Sequence, residues 1–116
     1  VESASSPDGV AARLARDRPD ALICYDDKLA LHTIDALRAL GVRVPEDLAV
    51  VGFDDIPFAA IAHPRLTTVS QSATEMGRVA AGMLCRAIEA GALPPSVTLP
   101  VRLVVRESTT LSRGRR

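Results

Sequence analysis

The feature that most restricts this chain is a pattern that occurs twice: a short apolar run without polar alternation, ended by two adjacent aspartates. The first is Ala21-Leu22-Ile23-Cys24-Tyr25, followed by Asp26-Asp27; the second is Leu48-Ala49-Val50-Val51-Gly52-Phe53, followed by Asp54-Asp55. Unbroken apolar runs of this length mark strands covered on both faces, as in parallel sheets. Between them, residues 28–40 place Ala30, Ile34 and Leu37 on one helical stripe, and Gly41 stands where a left-handed residue ends a helix. Strand, helix and strand make a βαβ unit with parallel strands, so the expected class is α/β.

Other segments extend this plan. Residues 1–8 have a loop composition, and Val10, Ala11, Leu14 and Ala15 predict a helix over 9–17, stopped by Arg18-Pro19-Asp20. Residues 57–62 have room for a turn or two of helix, and Arg65-Leu66-Thr67-Thr68-Val69 reads as a short strand or extended crossover. Ser72 and Glu75 have the spacing of a capping box, behind which Met76, Val79, Ala80, Met83, Ala87 and Ile88 define one face of a long helix ending at Gly91. Residues 97–105 predict one or two β segments interrupted at Pro100. The strands after the crossovers at Leu66–Val69 and Pro100–Val105 are expected to pair with segments outside this chain. The tail with Arg113, Arg115 and Arg116 reads as solvated and disordered over 111–116.

Composition narrows the partners. With 116 residues, 47% of them hydrophobic but only 3% aromatic, the chain supports one core of Ala, Val, Leu and Ile. Fourteen basic residues balance fourteen acidic ones, which disfavours nucleic acid or an anionic membrane as a direct partner. No apolar stretch is long enough to span a membrane, and the start Val1-Glu2-Ser3-Ala4-Ser5-Ser6 lacks the apolar core of a secretion signal. Cys24 and Cys85 read as buried small hydrophobes in a reducing, cytoplasmic setting.

In open α/β sheets ligands bind beyond the carboxyl ends of the strands, where Asp26, Asp27, Asp54 and Asp55 converge. Asp27 and Asp55 are assigned to capping of the segments that follow, although Asp26 is also placed to cap the helix over 28–40. A Mg²⁺ cluster of the phosphoryl-receiver kind is disfavoured, because the only lysine, Lys28, directly follows the first acidic pair. Hydrolysis by a carboxylate pair needs the two groups facing each other across a substrate in a closed pocket, and the chain offers no neighbouring aromatic platform for a sugar. His32 and His63 show neither nucleophile-elbow nor zinc-protease spacing; they read as a solvent-facing helix residue and a turn residue. Neither catalysis nor a metal or other cofactor is expected. The remaining reading is non-catalytic recognition of a small polyhydroxylated or heterocyclic ligand, whose adjacent donors a carboxylate accepts in pairs.

Apolar side chains also stand where the core cannot use them. Leu31 lies about 100° off the Ala30, Ile34 and Leu37 stripe, and Ile56, Phe58 and Ile61 give the next short segment more apolar surface than it can bury. These four residues are expected to form a subunit interface.

Taken in order, Asp26-Asp27-Lys28-Leu29-Ala30-Leu31, then Leu40-Gly41-Val42-Arg43-Val44-Pro45-Glu46-Asp47 running on through Asp54-Asp55, then Pro64-Arg65-Leu66-Thr67-Thr68-Val69 with Gln71, then Glu75-Met76-Gly77, the chain closely resembles the C-terminal region of lac repressor/gal repressor-family transcriptional regulators. The resemblance runs from about residue 18 to 110. It implies a partial periplasmic-binding-protein type I fold, three-layered α/β/α. Residues 9–66 and 101–110 would belong to the C-terminal subdomain and 67–100 to the crossover toward the other. It implies that Asp54 holds the effector and that Gln71 reaches the cleft. Asp26 stands where the family commonly has Asn, which puts the effector class in doubt. The expected function is sensing of a small effector, such as a sugar, by a homodimer. The operator DNA would be contacted only by a helix-turn-helix headpiece outside this chain. The rival readings are a sugar-binding protein of a transport system and a flavodoxin-like enzyme.

Overall fold

The structure is a computed structural model and describes residues 7–110. The chain runs in the order α1 (Pro7–Asp17), β1 (Ala21–Ile23), α2 (Asp27–Ala39), β2 (Ala49–Phe53), a 3-10 turn (Pro57–Ala60), β3 (Thr67–Ser70), α3 (Ala73–Ala90), β4 (Arg102–Val104) and a closing 3-10 turn (Glu107–Thr109). Most of the expected N-terminal loop and the whole arginine tail lie outside the described residues. Pro7 and Asp8, expected in that loop, instead open α1; proline is tolerated in a first helical turn, where its missing N–H has no partner to lose.

The sheet runs β1-β2-β3-β4. Strands β1 and β2 are parallel, with Ile23 opposite Val51, and β2 and β3 are parallel, with Phe53 opposite Val69. Strand β4 returns antiparallel to β3, pairing Ser70 with Arg102 and Thr68 with Val104. Of the two segments expected to pair outside the chain, β3 is paired on both sides, with β2 and β4, which corrects that expectation for it; β4 pairs with β3 and is the edge of the sheet, its other side unpaired among the described residues.

Ala30, Ile34 and Leu37 of α2 are buried with Val50, Leu48, Leu66, Cys24, Ala59 and Ala11, so the stripe read from the sequence is the core-facing one. Helix α1 packs on α2, and α2 packs on β2. Gly41, at φ +75, ends α2 in a conformation that costs other residues steric strain. Helices therefore cover one face of the sheet. On the opposite face Ile23 and Leu103 are 79% and 58% exposed. Helix α3 has the predicted extent and ends at a left-handed Gly91, yet none of its residues is buried, and its apolar stripe is uncovered among the described residues. Cys24 is buried as expected; Cys85, also expected to be buried, is exposed on α3, where at about 100° per residue it stands about 180° around the helix from Met76 and so faces away from the apolar stripe.

The closing turn locks the start of β3. Thr67 N–H donates to Ser108 Oγ at 2.8 Å, and Ser108 Oγ donates to the Val50 carbonyl at 2.6 Å, so one hydroxyl bridges two parallel strands. Arg65 and Glu107 pair outside it at 2.9 Å.

Candidate functional site

Parallel pairing brings the ends of β1, β2 and β3 to one rim. Asp26 follows β1, Asp54 follows β2, and Gln71 follows β3. The Asp54 N–H continues the ladder to the Val69 carbonyl at 2.9 Å, and the Gln71 side-chain amide donates to Asp54 Oδ1. Asp26 is extended (φ −147, ψ 166), and its Oδ1 accepts from the Leu29 N–H at 2.7 Å. Asp26 is therefore the cap of α2, a role assigned in the sequence to Asp27.

Asp27 does something else. It is wholly buried; its Oδ1 accepts from the Thr68 hydroxyl at 2.6 Å and its Oδ2 from the Ile56 N–H at 2.9 Å. Thr68 Oγ1 in turn accepts from the Asp55 N–H at 3.3 Å. Burying a carboxyl group is tolerated only with such partners. The carboxyl lies against Gly52: a Cβ there would stand 2.1 Å from Asp27 Oδ1 and 2.9 Å from a Leu66 methyl. Only a residue without a side chain can hold that position.

Asp55 is not a cap either. The 3-10 turn after it starts from Ile56 with no side-chain cap, and Asp55 Oδ1 instead accepts from Arg106 Nη2 at 2.7 Å. Arg106 Nη1 also donates to the Leu66 carbonyl at 2.9 Å. Two consecutive aspartates here take positive φ, 106 for Asp54 and 54 for Asp55. Non-glycine residues held this way cost about 1–3 kcal/mol each and persist where surrounding bonds over-determine them.

The capping box also fails to form. Ser72 occupies the cap position of α3 but sits at φ 50, ψ 58, and its hydroxyl makes no capping bond, since capping geometry requires an extended residue. Glu75 turns to Arg78 at 2.8 Å, and that hydrogen bond, with the guanidinium charge, lowers its carboxyl pKa. Burial, with Asp26 and Asp27 nearby, pushes the Cys24 thiol up to about 11.

The four residues expected at an interface line one groove of about 630 Å³ between α2 and the Pro57–Ala60 turn. Leu31 and Ile56 are half-buried at its base, and Phe58 and Ile61 are 65% and 68% exposed. His32, Arg38 and His63 border it, with an Arg38 guanidinium N–H donating to the His63 carbonyl. Sequence reasoning missed Thr68, Gly52 and Arg106. Gly52 alone left a signal, as a glycine inside a strand marks a close approach.

Residues 2–109 match the family model described as a periplasmic binding protein-like domain. An arabinose metabolism transcriptional repressor of Geobacillus stearothermophilus is 40% identical over 99 residues, which cover 84% of this chain and 27% of the relative. The chain thus spans little more than a quarter of that relative's length. Among solved structures, a LacI family transcriptional regulator from Arthrobacter in complex with lactose superposes with a TM-score of 0.79 at 36% identity, over 94% of this chain and 42% of that one. A complex of the transcriptional regulator CelR with cellobiose gives 0.81 at 37% identity, over 92% and 34%.

Proposed function

The chain belongs to the periplasmic binding protein-like domain family, in the form that is the effector-binding region of LacI/GalR-type regulators, and from that premise we propose that it senses a sugar or related metabolite on behalf of such a regulator. Asp26, Asp54 and Gln71 hold the effector, and Leu31, Ile56, Phe58 and Ile61 join two subunits.

The observation that carries this reading is the state of the two rim carboxyl groups. Among the described residues the Asp54 carboxyl meets only the Gln71 amide, and Asp26 uses Oδ1 for its cap, leaving Oδ2 unengaged. Carboxylates accept and do not donate, so the effector must supply donors at both positions, as neighbouring sugar hydroxyls do. An Asn in place of Asp26 could cap α2 through its own Oδ1 and present an amide N–H outward. Asp26 presents an acceptor instead, which favours ligands rich in hydroxyl groups over those rich in acceptors. The relatives solved with lactose and cellobiose support this class.

The uncovered stripe of α3 supports assignment of residues 71–100 to a crossover toward a second subdomain; residues 67–70, expected in that crossover, instead form β3 beside β2 and go with 9–66 and 101–110 as the first. Effector held between the two would favour one closure angle, and the dimer would pass it to a helix-turn-helix headpiece on the operator. The test is calorimetry on the whole protein with lactose and cellobiose, alongside operator binding. Asp54→Asn replaces one acceptor by a donor and removes a charge. Charge-assisted bonds are worth about 1.5–3 kcal/mol each, so sugar affinity should fall roughly 10-fold to 1,000-fold, with operator affinity in the absence of sugar unchanged. Equal sugar affinity in the two proteins would remove Asp54 from the site.

A further inference from the structure

We propose that Asp27 is the positioning residue of the rim: its buried carboxyl group holds the Asp54–Asp55 turn in the left-handed conformation that presents Asp54 to ligand. This rests on the assignment of Asp54 as a ligand contact. Three features on separate elements support it. First, both Asp27 carboxyl oxygens are spent on that turn, one directly on the Ile56 N–H and one through the Thr68 hydroxyl, which accepts from the Asp55 N–H. Second, Asp54 and Asp55 occupy positive φ without being glycine, so something must restrain them, and these bonds fix the two amides that follow the Asp54 carbonyl. Third, the carboxyl group displaces any side chain at Gly52, two residues before Asp54, so the strand leading into the turn is built around it.

The arrangement joins two surfaces. Asp27 follows the rim residue Asp26, and its partner Ile56 lines the apolar groove. A shift of the turn is felt on both margins, with Asp27 as their common anchor.

Thr68→Val removes the bridging hydroxyl and keeps the shape, whereas Thr68→Ser retains the hydroxyl. Hydrogen exchange resolved to single amides, measured on the whole protein, reads the result. Thr68→Val should speed exchange at Asp55 by roughly 10-fold, the loss of one bond of ordinary strength, while the Ile56 N–H keeps its direct bond to Asp27. The Cys24 and Ala49 amides, bonded to Val51 and Asp20, should be unaffected, and Thr68→Ser should behave as the parent. Asp27→Asn should speed exchange at Ile56, whose direct partner it weakens; if it does not fold, the Thr68 pair decides. Unchanged exchange at Asp55 in Thr68→Val, or at Ile56 in a folded Asp27→Asn, would overturn the proposal. So would an equal rise at Cys24 and Ala49, which would make Asp27 a general stabiliser of the core. Asp54→Ala leaves the Asp27 bonds in place, so lost cellobiose or lactose binding in that variant tests the ligand assignment separately from the positioning role.

Discussion

Arg106 reaches back 51 positions to Asp55, its Nη2 lying 2.7 Å from Oδ1, and the two side chains are only 17% and 20% exposed. The same guanidinium satisfies the Leu66 carbonyl, so one side chain closes the segment after β4 onto the turn that carries Asp54. Breaking a pair this enclosed leaves a charge without its partner, which costs about 3–5 kcal/mol when burial is complete. Partial exposure here lowers that to about 2–3 kcal/mol. Arg106→Met should lose that much in chemical denaturation, and Arg106→Lys should recover only part, because an ammonium group cannot keep both bonds in the planar fork. A Met variant as stable as the parent would show the pair to be energetically idle.

Gly52→Ala forces a methyl group to within 2.1 Å of the Asp27 carboxyl. Neither backbone nor carboxyl can retreat without breaking bonds to Thr68 or Ile56. Overpacking of a filled core costs about 1–3 kcal/mol, and the upper end is expected. Thermal melting of the variant should show it; an unchanged midpoint would mean that the Asp27 side chain has room to move.

Leu31→Glu places a carboxylate at the base of the apolar groove. If two copies associate there, the cost of burying it unpaired is several kcal/mol, and sedimentation velocity should show a shift toward monomer at concentrations where the parent is dimeric. Identical sedimentation of the two proteins would place the interface elsewhere.

Asp47 accepts from Arg43 three times, from Nε at 2.8 Å, Nη2 at 2.7 Å and the backbone N–H at 2.9 Å. The side-chain bonds, then the backbone bond, hold its carboxyl well below the usual range. A depressed carboxyl pKa contributes stability that is present above the unfolded value of about 4 and lost as pH falls. Asp47→Asn should therefore lower the melting temperature slightly at pH 7 and flatten its decline below pH 4. A variant whose acid decline matches that of the parent would show that Asp47 does not contribute to it.

What was legible in the sequence is what repeats locally. The apolar runs gave β1 and β2, and the 3.6-residue stripes gave α2 and α3, because both periodicities are recorded in consecutive residues. The roles of adjacent aspartates were not. Whether Asp26 or Asp27 turns inward depends on Thr68, 41 positions away, and on the absent side chain of Gly52. Arg106 sits in a stretch with no periodic signal, and its partner lies on the far side of α3. The capping box shows the reverse error: its spacing is local and correct, yet the backbone of Ser72 is dictated by the entry from β3.

Ser70 and Arg102 are ladder partners, so the chain leaves the sheet after β3 and re-enters it at an adjacent point. Everything between them is topologically an insertion into a hairpin, and α3 adds no buried residue to the core. Antiparallel partners can be joined by a turn of a few residues. Residues 71–101 could accordingly be excised and the ends ligated through such a turn without altering the register of any strand.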